Sequence, residues 1–281
     1  MLKNRILTAS ILAPLVIAAI LFLPDQWFAL LWGVAIAVCA WEWSNLAGLT
    51  TIPARGSFLA VCVGVMTSYQ QWAGDLEEWL AWPVVAWWFI FSILLRKYPS
   101  KLLEWKYPIA VKLLVGLFVL VSSWILTVWT QHNLGARQLL YLFLLVWVAD
   151  IAAYFSGKRW GITKLNPEIS PGKTVEGLYG ALVAIVLLSL ATAGLLYANE
   201  AGTFTRFDIV QTIDFVMLSL VTVVVSVVGD LFESMAKRIC GVKDSGTILP
   251  GHGGLLDRVD SLLAAVSVYY AGSKLLGIFF Q

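Results

Sequence analysis

The chain has 281 residues, 60% of them hydrophobic and only 13% charged, and a mean hydropathy of +0.83. A soluble domain carries about 25% charged residues, so this composition excludes a soluble globular protein, a disordered chain and a collagen-like fibre. The net charge of +2 points to no partner by itself and no nucleic-acid partner is expected, while three scattered cysteines, Cys39, Cys62 and Cys240, exclude a disulfide scaffold.

A helix that crosses about 30 Å of hydrocarbon needs about 20 mostly apolar residues. In chain order, the segments 7–23, 27–45, 56–72, 79–95, 109–130, 138–156, 177–197, 209–229 and 260–280 meet or approach that length. The expected fold is therefore all-α, a polytopic membrane protein with about nine transmembrane helices. The first segment follows Lys3 and Arg5 as a signal peptide would, but Leu23-Pro24-Asp25-Gln26 offers no small-residue cleavage site, so it reads as a retained span. The third, with Ser68, Gln70 and Gln71, is the weakest of the set.

Basic residues stay preferentially on the cytoplasmic side of a membrane. With the N-terminus placed there, all the lysines and arginines except Arg137, Arg206 and Lys274 fall on the cytoplasmic side, and the C-terminus emerges on the opposite one. All 14 tryptophans lie between Trp27 and Trp160. They are concentrated in the front of the chain, which is read as a Trp-rich transmembrane region, 1–137, followed by a region rich in glycine and charge, 138–281, where chemistry is expected. Many of these indoles sit near span ends, where an amphipathic ring suits the headgroup layer.

Carboxylates in a membrane are costly and therefore candidates for function. Glu42, Asp150, Asp230, Glu233, Asp257 and Asp260 all fall at the cytoplasmic ends of their spans, where each either serves a site or simply marks a solvated helix end. The densest stretch runs from Asp230 to Asp260 and includes Lys237, Arg238, Lys243, Asp244, Gly251, His252, Gly253, Gly254 and Arg258. Asp230 and Asp257 lie on different helices and could converge on one cation. Oxygen ligands without neighbouring sulfur or several imidazoles favour a hard ion, Mg²⁺ above all. The glycines could let backbone N–H groups approach a phosphate, or they simply form a turn. His252 reads as a structural hydrogen-bonding residue or as an acid–base group. A second loop contains Ser170, Lys173 and Glu176: the first two can donate to phosphate, and Glu176 either serves a base or cation or lies in the first turn of a capped helix.

These residues carry a resemblance. The pattern Ser234-x-x-x-Lys237-Arg238, Lys243-Asp244, Pro250-x-His252-Gly253-Gly254-x-x-Asp257-Arg258-x-Asp260 resembles the signature of the phosphatidate cytidylyltransferases, or CDP-diacylglycerol synthases. Ser170-Pro171-Gly172-Lys173-Thr174-Val175-Glu176-Gly177 and Trp41-Glu42-Trp43 are also similar to bacterial members of that family. The resemblance implies transfer of CMP from CTP to phosphatidate with release of diphosphate, at the cytoplasmic face of an inner membrane. It further implies a nine-helix fold with a periplasmic C-terminus, a homodimer, Mg²⁺ held by Asp230 and Asp257, and K⁺ as a candidate second ion. Nucleotide phosphates would meet the Ser170–Lys173 loop together with Lys237, Arg238, Lys243 and His252. A nucleophile that is already anionic needs no strong general base, so the lack of a Ser-His-Asp arrangement is no obstacle. Three competing readings are a cytidylyltransferase for another lipid phosphate, an ion-coupled transporter using Glu42, Asp150 and Asp230, and a lipid-binding scaffold.

Overall fold

The computed structural model describes residues 2–71, 76–199, 209–248 and 253–278. Among them the chain forms ten α-helices: α1 (Leu2–Phe22), α2 (Asp25–Leu46), α3 (Ile52–Gln71), α4 (Leu76–Lys97), the short α5 (Pro99–Glu104), α6 (Ile109–Trp129), α7 (Ala136–Trp160), α8 (Val175–Asn199), α9 (Ile209–Ile239) and α10 (Leu256–Leu276). The fold is all-α apart from one antiparallel hairpin, β1 (Lys164–Asn166) and β2 (Ser170–Thr174), between α7 and α8. Two strands of three and five residues, with Pro171 and Gly172 in the second, leave no alternating apolar pattern by which the sequence could reveal them.

Six of the helices, α2, α4, α6, α7, α8 and α9, are long and apolar enough to cross a membrane. This is a multi-pass arrangement. The other long helices differ for visible reasons. In α3, Ser57, Thr67, Ser68, Gln70 and Gln71 dilute the apolar run, and among the described residues α1 contributes an apolar stretch over Ser10–Phe22. Helix α10 carries Asp257, Arg258, Asp260 and several Ser and Tyr residues, and most of its residues are buried against neighbouring helices.

The helices alternate in direction, as hydrogen bonds at both ends of the bundle record. At one end, Arg55 at the start of α3 donates to the Trp41 carbonyl of α2 (2.9 Å), and the Trp43 indole N–H donates to the Lys112 carbonyl of α6 (2.9 Å). At the other end, Gln131 beyond α6 donates to the Ile20 carbonyl of α1 (3.3 Å), His132 meets Asp25 of α2 (2.7 Å), and Gln138 of α7 donates to the Ile278 carbonyl beyond α10 (2.6 Å).

Not all the tryptophans serve as interfacial anchors. Trp27, Trp79, Trp82, Trp105 and Trp160 are exposed, but Trp32, Trp43, Trp88 and Trp124 are core residues. Trp43 stacks on Phe232 (centroids 5.3 Å apart), and Trp88 and Phe91 meet the same ring edge-on at 5.5 and 5.2 Å. This aromatic cluster locks α2 and α4 against α9 one residue before Glu233, directly beneath the charged end of the bundle. Large rings fill the space between neighbouring helices, which a reading of span ends alone does not foresee.

Candidate active site

Helix α9 ends because Gly241 adopts φ +68°, a left-handed conformation that suits glycine. Val242 N–H then bonds the Lys237 carbonyl and Gly241 N–H the Arg238 carbonyl, a Schellman closure that turns the chain towards α10. Within the last turns of α9, Asp230 and Ser234 share a face, and the Ser234 hydroxyl donates to Asp230 Oδ1 (3.2 Å). Glu233 and Lys237 share the adjoining face and form an ion pair at 2.5 Å.

Two groups of charges assemble at this end of the bundle. In the first, Lys237 Nζ lies between Glu233 Oε2 and Asp257 Oδ1, the latter at 2.6 Å. The other oxygen of Asp257 accepts from Ser245 N–H (3.0 Å), Ser245 Oγ (3.0 Å) and Gly254 N–H (2.8 Å). An ammonium and three further donors hold Asp257 as a carboxylate in a single orientation. In the second group, Lys173 Nζ pairs with Asp230 Oδ2 at 2.7 Å, with both side chains about a quarter exposed (23% and 28%). Asp150 and Asp260 add their fields to those of Asp230 and Lys173, and Arg258 acts on Asp150. Asp260 lies within electrostatic reach of both Asp230 and Glu233.

The hairpin delivers Lys173. Its turn is closed by Asn166, whose Oδ1 accepts from Ile169 N–H (3.2 Å) and whose Nδ2 reaches the Leu95 carbonyl of α4 (3.4 Å). Arg238 Nε donates to the Ile169 carbonyl (3.2 Å), fastening the hairpin to α9. At its other edge Thr174 caps α8 by accepting from Gly177 N–H (3.1 Å). Glu176 accepts from Ile162 and Thr163 N–H, each at 3.1 Å.

Several residues singled out from sequence are thus brought together: Lys173, Asp230, Lys237, Asp257 and Asp260, with Gly254 donating its N–H to a carboxylate. Gly253, with φ +83°, packs where an added Cβ would come within 2.8 Å of Asp257 Oδ2. Ser170 lies in β2, half-buried, while Lys243, Asp244 and Arg258 are exposed beside the site. Arg238 and Glu176 are engaged in holding the hairpin. His252 lies outside the described residues. Ser245 was not singled out from sequence, nor was the use to which Glu42 is put. A lone serine in a polar loop carries no periodic or motif signal that separates it from its neighbours.

The donor set suits a hard cation. Only oxygens are offered, and Mg²⁺ is usually held by one or two carboxylates together with water and substrate phosphate. Among the described residues no three His, Cys, Asp or Glu side chains form a preassembled metal cage.

Membrane-length apolar helices that gather lysines and carboxylates at one end of the bundle define a multi-pass membrane protein with a charged cluster at that end. The chain belongs to the cytidylyltransferase family, whose sequence model matches residues 3–276. It is 37% identical over 272 residues to the phosphatidate cytidylyltransferase of Pseudomonas aeruginosa, covering 96% of each chain. To that of Haemophilus influenzae it is 36% identical over 287 residues, covering 96% of this chain and 97% of the relative. The phosphatidate cytidylyltransferase of Thermotoga maritima is 30% identical over 278 residues, with 98% and 97% covered.

Proposed function

We propose that the protein transfers CMP from CTP to phosphatidate, giving CDP-diacylglycerol and diphosphate. Support comes from family membership, from the activity in the names of full-length relatives, and above all from one observation: two lysines, Lys173 and Lys237, each paired with a carboxylate at the same end of an apolar bundle. A polyphosphate arriving with a divalent cation suits such a site, because phosphate oxygens can take the lysines while the released carboxylates take the cation.

In the reaction a phosphatidate phosphate oxygen bonds to the α-phosphorus of CTP, and the bond from that phosphorus to the β-phosphate bridging oxygen breaks, its electron pair leaving with diphosphate. Ser170 and Lys173, on a hairpin anchored at both edges, would orient the nucleotide phosphates, and Lys237 would steady charge that grows on the leaving group. Lys243 and Arg258, exposed at the rim, would draw the two polyanions in. Asp230 and Asp257 are the residues that would hold Mg²⁺, which when bound offsets triphosphate charge; K⁺ is the candidate second ion. The topology proposed with this reading has nine spans, a cytoplasmic N-terminus and site, and a periplasmic C-terminus, in an inner-membrane homodimer.

The test is incorporation of labelled CTP into chloroform-soluble product by purified protein in mixed micelles with phosphatidate and Mg²⁺. Label in the lipid phase that disappears with Asp257→Asn and with chelation is expected. A folded protein that yields no lipid-soluble label overturns phosphatidate as the acceptor.

A further inference from the structure

Glu42 belongs to the front of the chain, yet its partners lie 203 to 214 residues later. It is buried (2% exposed) near the end of α2. Its Oε1 accepts from Leu255 N–H (3.1 Å), and its Oε2 from Leu256 N–H (2.8 Å) and from Ser245 Oγ (3.2 Å). The residue at the N-cap of α10, Leu255, has no side-chain oxygen, so the helix has no cap of its own. A carboxylate on another helix supplies it, at the end where the helix dipole favours negative charge.

The surroundings are shaped to that carboxylate. A Cβ on Gly254 would come within 2.6 Å of both Glu42 oxygens, and one on Gly246 would overlap Glu42 Oε1. Ser245 is the shared element: its one hydroxyl proton lies between Glu42 Oε2 and Asp257 Oδ2, and its N–H also goes to Asp257. Helix α2 in turn has little freedom, because Trp43 is stacked on Phe232 and bonded to the Lys112 carbonyl.

We propose that Glu42 is a positioning residue for the reaction: from α2 it clamps Ser245 and the first turn of α10, and through them sets the direction of the Asp257 carboxylate. The inference rests on the proposed nucleotidyl transfer, in which Asp257 takes part, so its test has an arm that needs no turnover.

The experiment compares wild type with Glu42→Ala, Glu42→Gln and Ser245→Ala. It measures steady-state kinetics in phosphatidate micelles and amide hydrogen exchange at Leu255 and Leu256 without substrate. Loss of the clamp is expected to lower kcat by about tenfold or more in Glu42→Ala while the KM for CTP stays within about threefold, since the nucleotide-binding lysines are untouched. Exchange at Leu255 and Leu256 should quicken in Glu42→Ala but not at the start of α8. Ser245→Ala should lower kcat without quickening Leu255 and Leu256. If Glu42→Ala does not fold, the isosteric Glu42→Gln, which removes one accepting oxygen, takes its place with smaller effects in the same directions. A folded Glu42 variant with wild-type kcat, or with unchanged exchange at both amides, overturns the proposal. A wild-type protein with no transferase activity would instead sink the proposed reaction and leave the clamp to the exchange arm.

Discussion

Lys237 lies between two carboxylates, Glu233 and Asp257, and all three side chains are largely withdrawn from water. Removing a shared counter-charge leaves buried charges uncompensated, a change that typically costs about 3–5 kcal/mol. Lys237→Ala should therefore lower the thermal unfolding temperature in detergent clearly. The double variant Glu233→Gln/Lys237→Ala should lose less than the sum of the two single changes, because it removes charges of both signs. Simple additivity would show that the pair is not energetically coupled. Gly254 makes a second prediction at this scale. An alanine there pushes its Cβ against Glu42 and Ser245, so Gly254→Ala should reduce transferase activity about tenfold or more, as misplacement of a supporting shell does. Gly64→Ala, whose Cβ meets nothing within 4 Å, is the matched control and should retain activity.

Helices α2 and α6 approach so closely that Gly116 has no room for a side chain: an added Cβ would overlap the Trp43 indole. Gly116→Ala must therefore push α2 and α6 apart or turn Trp43 off Phe232, and overpacking of this kind costs about 1–3 kcal/mol. A lower unfolding temperature accompanied by reduced activity is expected, since the same helix carries Glu42; an unchanged unfolding temperature would refute the close fit. The hairpin is the other element on which the site depends. Glu176 joins it to α8 through the N–H groups of Ile162 and Thr163, so Glu176→Ala should speed exchange at those two amides while leaving Leu255 and Leu256 protected. Equal speeding at both places would mean that the hairpin and the α10 cap are one cooperative unit.

Across the whole molecule, the bonds at the two ends of the bundle give an alternating path, and the proposed topology puts the charged end in the cytoplasm. With Cys39, Cys62 and Cys240 replaced, a single cysteine at exposed Thr247 should resist an impermeant maleimide in intact cells and react once the membrane is opened. Labelling of intact cells would invert the topology. Six spans were legible because a membrane helix is a local property: about twenty apolar neighbours in sequence suffice to identify it. The gathering of Asp230, Lys237, Asp257 and Asp260 at one end of the bundle was legible too, because helices that alternate in direction bring alternate loops to the same end. The sequence by itself also determined family membership, through the spacing from Ser234 to Asp260. Only the tertiary structure decided that Lys173 meets Asp230, that Lys237 bridges Glu233 and Asp257, that four tryptophans are core residues, and that Glu42 caps α10. Those contacts join segments up to 214 residues apart, and they depend on how helices of similar composition pack, which close approach at Gly116 and Gly254 settles and hydrophobicity does not.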